Sequence, residues 1–402
     1  MTSTVEPAAS ASPARDRIPA LDVLRGVAVA GILFANVLVF FGVVFLPADR
    51  AAALPTAAAD RVAAFLEHVL VDGKFYSVFS LLFGIGFGLQ LAKGGAAALP
   101  RFKRRLRILL AIGAVHAVLI WAGDILMLYA LLGFTMPWFA RKSDRALLRW
   151  VVILLAIPTV LYGAALAVWT LVGPAATQVP SMSAMPAKLL AIFAAIGTGG
   201  IKEAFVGNLV TLAGRWADLF ATARFPKVLG MFMLGLWTAR AGLALQPVAH
   251  RALLVRWSLL GLSVGLPANL IAAWAGEHWP YLPPTTGGLL GVVMQAVGVP
   301  MLALGYAATV GLLVVDRRRL IGMFAPVGRM ALTNYLMHSV ICVLLSRGFA
   351  LGLWWRIGAS RAMAIAAAIL VVQIPFSAWW LSRFRFGPVE WVWRRLTYAR
   401  PI

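Results

Sequence analysis

An aspartate and an arginine three positions apart, Asp22 and Arg25, open an otherwise apolar run over 21–46, and Asn36 follows eleven positions after the arginine. On a helix Asp22 and Arg25 share a face and can pair. Asn36 then stands roughly 16 Å further along nearly the same face. Ionisable groups at a membrane boundary are costly unless paired or used, and the planar fork of an arginine suits a phosphate or a carboxylate. The plainer reading is a snorkelling arginine held by Asp22. A second constellation joins His116, Gly123-Asp124 and Tyr129, with Asp124 at a turn and His116 about two helical turns below it. Histidine accepts and returns a proton near neutral pH, so His116 assisted by Asp124 is a candidate general base. The alternative is a histidine bonded between packed helices, with Asp124 capping the next one. A third group, Gly328-Arg329 followed by Thr333, Asn334, Tyr335 and His338, either lines a cavity or ties helices together.

Composition sets what these side chains stand in. The chain has 402 residues, 62% of them hydrophobic and only 12% charged, against about 25% charged in soluble domains. Apolar runs of about twenty residues read as membrane-spanning helices. Such runs lie near 21–46, 74–92, 104–122, 125–140, 146–172, 226–245, 252–275, 287–314, 326–347 and 360–382. The expected fold is therefore an all-α, polytopic bundle of about ten spans. The net charge is +22, and a third of the 36 lysines and arginines stand in short basic clusters between the runs: 101–107, 141–149 and Arg317 to Arg319. That pattern belongs to cytoplasmic loops and anionic lipid headgroups, not to a nucleic-acid groove. It places both termini in the cytoplasm.

The domain reading follows from the breakers. Residues 1–20 are a polar, disordered cytoplasmic tail; 21–386 form one membrane domain; 387–402 are a C-terminal amphipathic tail in the headgroup layer. Within the domain, 60–72 read as an external interfacial helix. Residues 173–225 read as an external amphipathic or re-entrant insertion carrying Lys202, Glu203, Arg215 and Asp218. The single Cys342 lies in an apolar run, and neither metal-ligand spacing nor a nucleotide-hydrolysis or serine-hydrolase motif occurs. No metal or bound cofactor is expected.

Taken together, Leu21-Asp22-Val-Leu-Arg25-Gly26 with Asn36, the block from Lys74 to Gly86, His116 with Gly123-Asp124, Gly328-Arg329 with Thr333-Asn334-Tyr335, and Gly387-Pro388-Val-Glu390-Trp391 resemble the YeiB-like bacterial inner-membrane family, a domain of unknown function. More distantly the chain is similar to transmembrane acyltransferases, including heparan-alpha-glucosaminide N-acetyltransferase and bacterial sugar O-acetylases. That resemblance implies transfer of an acyl group from cytoplasmic acyl-CoA to an external carbohydrate or lipid. It implies Arg25 at the donor, with Asn36 along the path. The O-acetylases have histidine where this chain has Asn36. The N-acetyltransferases have asparagine there and use a histidine in the loop after the first span. Residues 47–59 contain no histidine; His68 is the nearest and does not stand at the motif's position.

The expected mechanism uses Arg25, paired with Asp22, and Arg329 for donor phosphates. His116 with Asp124 takes the acceptor proton, and Asn36, Asn334 and Tyr335 orient the thioester or its oxyanion. A transporter or permease built on the same polar cavity, and a non-catalytic membrane protein of the same architecture, are the alternatives.

Overall fold

The computed structural model describes residues 18–173, 186–279 and 281–398, and every regular element among them is helical. The expected tail over 1–20 lies outside the described residues up to residue 17, as do 174–185 of the expected insertion and 399–402 of the C-terminal tail.

Helix α1 (Pro19–Phe40) starts with a proline in its first turn and Asp22 beside it, both suited to a helix N-terminus. Helix α2 (Ala57–Leu70) covers the expected interfacial segment. Helices α3 (Lys74–Gly94) and α4 (Leu99–Leu119) follow, each 21 residues long. Next come α5 (Asp144–Val172), α6 (Ala187–Thr198), α7 (Ile201–Ala221) and α8 (Arg224–Arg240). Helices α9 (Arg251–His278) and α10 (Thr286–Val315) form an extensive antiparallel hairpin. The chain closes with α11 (Phe324–Arg329), α12 (Ala331–Ser346), α13 (Ala359–Arg383) and α14 (Pro388–Tyr398). Local caps fix the long starts: Ser143 accepts from the Ala146 amide at 3.3 Å and Thr285 from Gly288 at 2.9 Å.

Six helical stretches among the described residues are long and apolar enough to cross a membrane, or eight if each of two bent helix pairs counts as one span. The protein is a multi-pass membrane protein, but the count differs from ten. One reason is 125–140, which breaks into Leu126–Gly133 and Met136–Phe139. Eight residues rise only about 12 Å, too little for a hydrocarbon core. Two other segments bend: α7 meets α8 at 68°, and Arg319–Arg329 meets α12 at 83°.

α1 is the axis. In its most apolar window 61% of residues are buried, against 17% in α5, which lies at the periphery. Gly26 and Gly328 let α1 and α11 touch backbone to backbone: a Cβ on Gly328 would sit 1.8 Å from the Asp22 carbonyl, and one on Gly26 2.0 Å from that of Phe324. No larger residue fits this crossing, which brings Arg25 and Arg329 to one mouth.

Candidate functional site

Two chambers lie along α1. The first opens in a vestibule of about 210 Å³ whose wall carries five arginines, Arg25, Arg105, Arg329, Arg385 and Arg394, against Asp22 and Glu390. It leads into a slot of about 270 Å³ that shares Arg25, Arg105, Arg329, Glu390 and Trp393 with the vestibule and is otherwise mainly apolar. Phe79, Phe83, Phe102 and Leu106 line this slot, together with the hydroxyl-bearing Tyr129 and Tyr335. Arg25 is partly exposed and held by Asp22 at 3.0 Å. The arrangement suits a ligand with several negative charges at the mouth and a narrow apolar extension.

Helix α14 closes one side of this basic chamber instead of lying as a free tail in the headgroups. The Glu390 carboxylate accepts from the Leu332 and Thr333 amides at 2.7 and 3.0 Å, capping the first turn of α12 from a distant part of the chain. The Trp393 indole donates to the Arg105 carbonyl at 3.2 Å, while the Arg105 guanidinium lies 4.4 Å above that ring. Trp391, in contrast, is exposed.

The second chamber, about 840 Å³, lies at the far end of α1 and is lined by Asn36, Glu67, His68, Asp72, Arg215, Asp218 and Arg224 among others. His68 ends α2 and sits 3.9 Å from Asp72 in the turn before α3. The buried Lys74 ammonium donates to the His68 carbonyl at 2.6 Å and fixes this turn. Asp218 lies between two guanidiniums, 3.2 Å from Arg215 and 3.7 Å from Arg224. Helix α7 is turned inward by Asn208, whose amide donates to the Ala117 and Val118 carbonyls at 2.9 and 3.0 Å and whose oxygen accepts from Ala122 at 2.7 Å. Arg215 is seven residues on, two turns along the same face, and so enters the chamber.

Ile32 and Ile125 line both chambers and form the partition. Tyr129 braces it by donating to the Tyr76 carbonyl at 2.8 Å and meeting Ser80 at 2.6 Å. The Tyr335 hydroxyl accepts from the Ile125 amide at 3.3 Å.

The sequence-selected residues divide. Asp22, Arg25, Arg329 and Tyr335 line the basic side, and Asn36 lines the mixed-charge chamber. His116 and Asp124 line neither: Nδ1 of His116 donates to Asp124 at 2.8 Å with both side chains 1% exposed. The other Asp124 oxygen accepts from Met127 at 2.8 Å, capping the short helix that follows. The His116 ring stands 5.4 Å from that of Tyr335, behind the partition. Asn334 is also away from the chambers, its amide spent on the Val327 carbonyl and Ser377 at 3.1 Å each. His338 is buried and bonded to Gln373 at 2.6 Å. Sequence reasoning passed over His68, Asp72 and Arg224 as chamber residues. The signal available was polar residues at helical spacing on 60–72 and 202–224. Among the described residues no group of three or more histidines, cysteines or carboxylates could hold a metal ion.

Residues 238–400 match the family described as "Protein of unknown function (DUF418)". Over nearly its whole length the chain is similar to "Uncharacterized protein YxaH" of Bacillus subtilis (strain 168), 31% identical across 95% of this chain and 94% of that protein. "Uncharacterized protein YeiB" of Escherichia coli (strain K12) is 29% identical across 95% and 96%. An "Uncharacterized 39.9 kDa protein in amylase 3'region" of Bacillus acidopullulyticus is 28% identical across 96% and 95%. No solved structure matches the chain. With sequence similarity to these relatives running from end to end, this multi-pass membrane protein belongs to the YeiB-like DUF418 family.

Proposed function

We propose that the chain is a membrane acyltransferase that moves an acyl group from cytoplasmic acyl-CoA to a carbohydrate or lipid acceptor on the external side of a bacterial inner membrane. The observation that carries this reading is the shared partition: a basic, phosphate-sized mouth and a histidine-bearing chamber back onto the same two residues, Ile32 and Ile125. The basic clusters at 101–107, 141–149 and 317–319 favour the cytoplasm for the basic end, with both termini there.

In this reading Arg25, Arg105 and Arg329 meet the phosphates of acyl-CoA, and the apolar slot takes its thin arm, bringing the thioester to the partition. The acceptor hydroxyl or amine attacks the thioester carbonyl carbon, forming the new C–O or C–N bond as the C–S bond breaks. The acceptor proton passes to His68, whose imidazolium faces Asp72. CoA leaves as the thiolate and takes a proton from water as it withdraws through the mouth, and the His68 imidazolium returns the acceptor's proton to water in its own chamber. Asn36 in the chamber and Tyr335 at the partition are positioned to donate to the developing oxyanion. His116 and Asp124 then act as a positioning pair behind Tyr335.

The test is direct. Purified protein in nanodiscs should bind radiolabelled acetyl-CoA saturably, in competition with CoA, and pass label to a membrane-lipid or glycan extract. Absence of saturable binding would end the proposal. Solute uptake into proteoliposomes with no covalent change would put the permease reading in its place.

A further inference from the structure

The mixed-charge chamber is sorted into two contiguous walls. One is ionic: His68 beside Asp72, then Asp218 shared between Arg215 and Arg224. A small adjoining cavity shares His68, Asp72 and Arg224 with it and adds the cations Lys74 and Lys227. The other wall is greasy. Leu189 and Phe193, one turn apart on α6, face Val44 and Phe45 across the chamber lining. The Phe45 and Phe193 rings stack at 4.7 Å, and Val44 is 56% exposed, so this wall reaches the surface of the described bundle.

Around the ionic wall, Lys74, Arg215, Arg224 and Lys227 outnumber the carboxylates Glu67, Asp72 and Asp218. Arg215 and Arg224 both line the chamber and share the single carboxylate of Asp218, and two guanidiniums carry more donors than one carboxylate accepts, a geometry that a second, oxygen-rich anion completes. The greasy wall cannot satisfy such a group. It needs alkyl chain.

We infer that this chamber holds a lipid phosphate, with the phosphate between Arg215 and Arg224 and the alkyl chain along Phe193, Phe45 and Val44. This narrows the acceptor to a phosphate-bearing lipid or lipid-linked molecule. The chemical role rests on the acyltransferase reading, whereas the binding does not. A free phosphate could satisfy the arginines alone, so the experiment separates the two sources.

The probes are short-chain dihexanoyl phosphatidate, inorganic phosphate and dihexanoylglycerol, titrated into detergent-purified full-length protein by calorimetry. Phosphatidate should bind saturably and at least tenfold more tightly than either other probe. Arg215→Gln with Arg224→Gln should weaken it at least tenfold, and Phe193→Ser about threefold. Asp218→Asn removes the competing carboxylate and should tighten binding, an opposite-sign result that misfolding cannot imitate. Inorganic phosphate binding as well as phosphatidate would overturn the lipid assignment, and dihexanoylglycerol binding as well would overturn the anion. Unchanged affinity in Asp218→Asn and in the double arginine variant would overturn the site. Arg25→Ala, titrated in parallel with acetyl-CoA, keeps the two proposals apart: it should weaken CoA binding at least tenfold and keep phosphatidate, and failure of the acyl-CoA arm alone leaves the lipid site standing.

Discussion

The two chambers are built on opposite principles although α1 walls both. At the basic end, charge comes from segments that stop at the edge of apolar runs: Asp22 and Arg25 entering α1, Arg329 ending α11, and Arg385 and Arg394 beyond α13. Five arginines converge with two carboxylates to restrain them, so this end is prepared for an anion. At the far end, positive and negative groups are interleaved around Asp218 and Asp72, and an apolar wall stands beside them. The first suits strong, unselective attraction of a multiply charged ligand. The second suits orientation and proton movement, where Asp72 and Asp218 are set between a histidine and two arginines.

That contrast can be broken most sharply at the histidines. If the mixed-charge chamber supplies the base, His68→Ala should lower acyl transfer by about 10²- to 10⁴-fold in a nanodisc assay while leaving acetyl-CoA affinity within about twofold. His116→Ala strands a carboxylate at 1% exposure, so its cost should fall on stability, about 3–5 kcal/mol, read by thermal unfolding. A His116→Ala protein that folds normally and loses all transfer would reverse the assignment and move the chemistry behind the partition.

At the basic end, Arg25→Ala should weaken acetyl-CoA by roughly 10- to 100-fold, the loss of one charge-assisted contact of about 1.5–3 kcal/mol. The same variant should leave occupancy of the other chamber unchanged. Equal losses at both ends would show that the chambers do not act separately.

A smaller effect is expected from the crossing that assembles the mouth. Gly328→Ala drives a Cβ to 1.8 Å from the Asp22 carbonyl. Such overpacking costs about 1–3 kcal/mol, and acetyl-CoA affinity should fall about tenfold as Arg25 and Arg329 move apart. Gly322→Ala, where an added Cβ meets nothing within 4 Å, serves as the comparison and should bind normally.

The smallest effect belongs to Glu390. Glu390→Gln keeps the shape but weakens the cap on the Leu332 and Thr333 amides, by about 1 kcal/mol. Limited proteolysis should then cut near α14 several times faster, with only a modest change in CoA affinity. A large loss of affinity would promote α14 from a wall to a direct ligand contact.

Much of the basic end was legible in the chain. Charge inside an apolar run is conspicuous, and Asp22-Val-Leu-Arg25 needs only helical spacing to pair, as it does at 3.0 Å. The far chamber was harder to see for a physical reason. Residues 60–72 and 202–218 have the apolar-polar periodicity of helices lying on a membrane surface, and periodicity gives the existence of a polar face but not what that face meets. Asn208 turns α7 inward through contacts with residues ninety positions away, and the 68° bend at α8 sets Arg224 against Asp218. His116 and Asp124 show the converse. Their pairing was readable from spacing, but their enclosure depends on α7 and α12 covering them.

Composition and patterning by themselves determined that this is a helical, multi-pass membrane protein, since an apolar fraction of 62% leaves no soluble arrangement able to bury it. They also determined the arginine-bearing entrance. Only the tertiary structure decided which polar faces turn inward, because a helix carries its pattern in its own sequence while its rotation and tilt are set by contacts with distant segments. The meeting of two chambers at Ile32 and Ile125, positions ninety-three residues apart, is a property of packing alone.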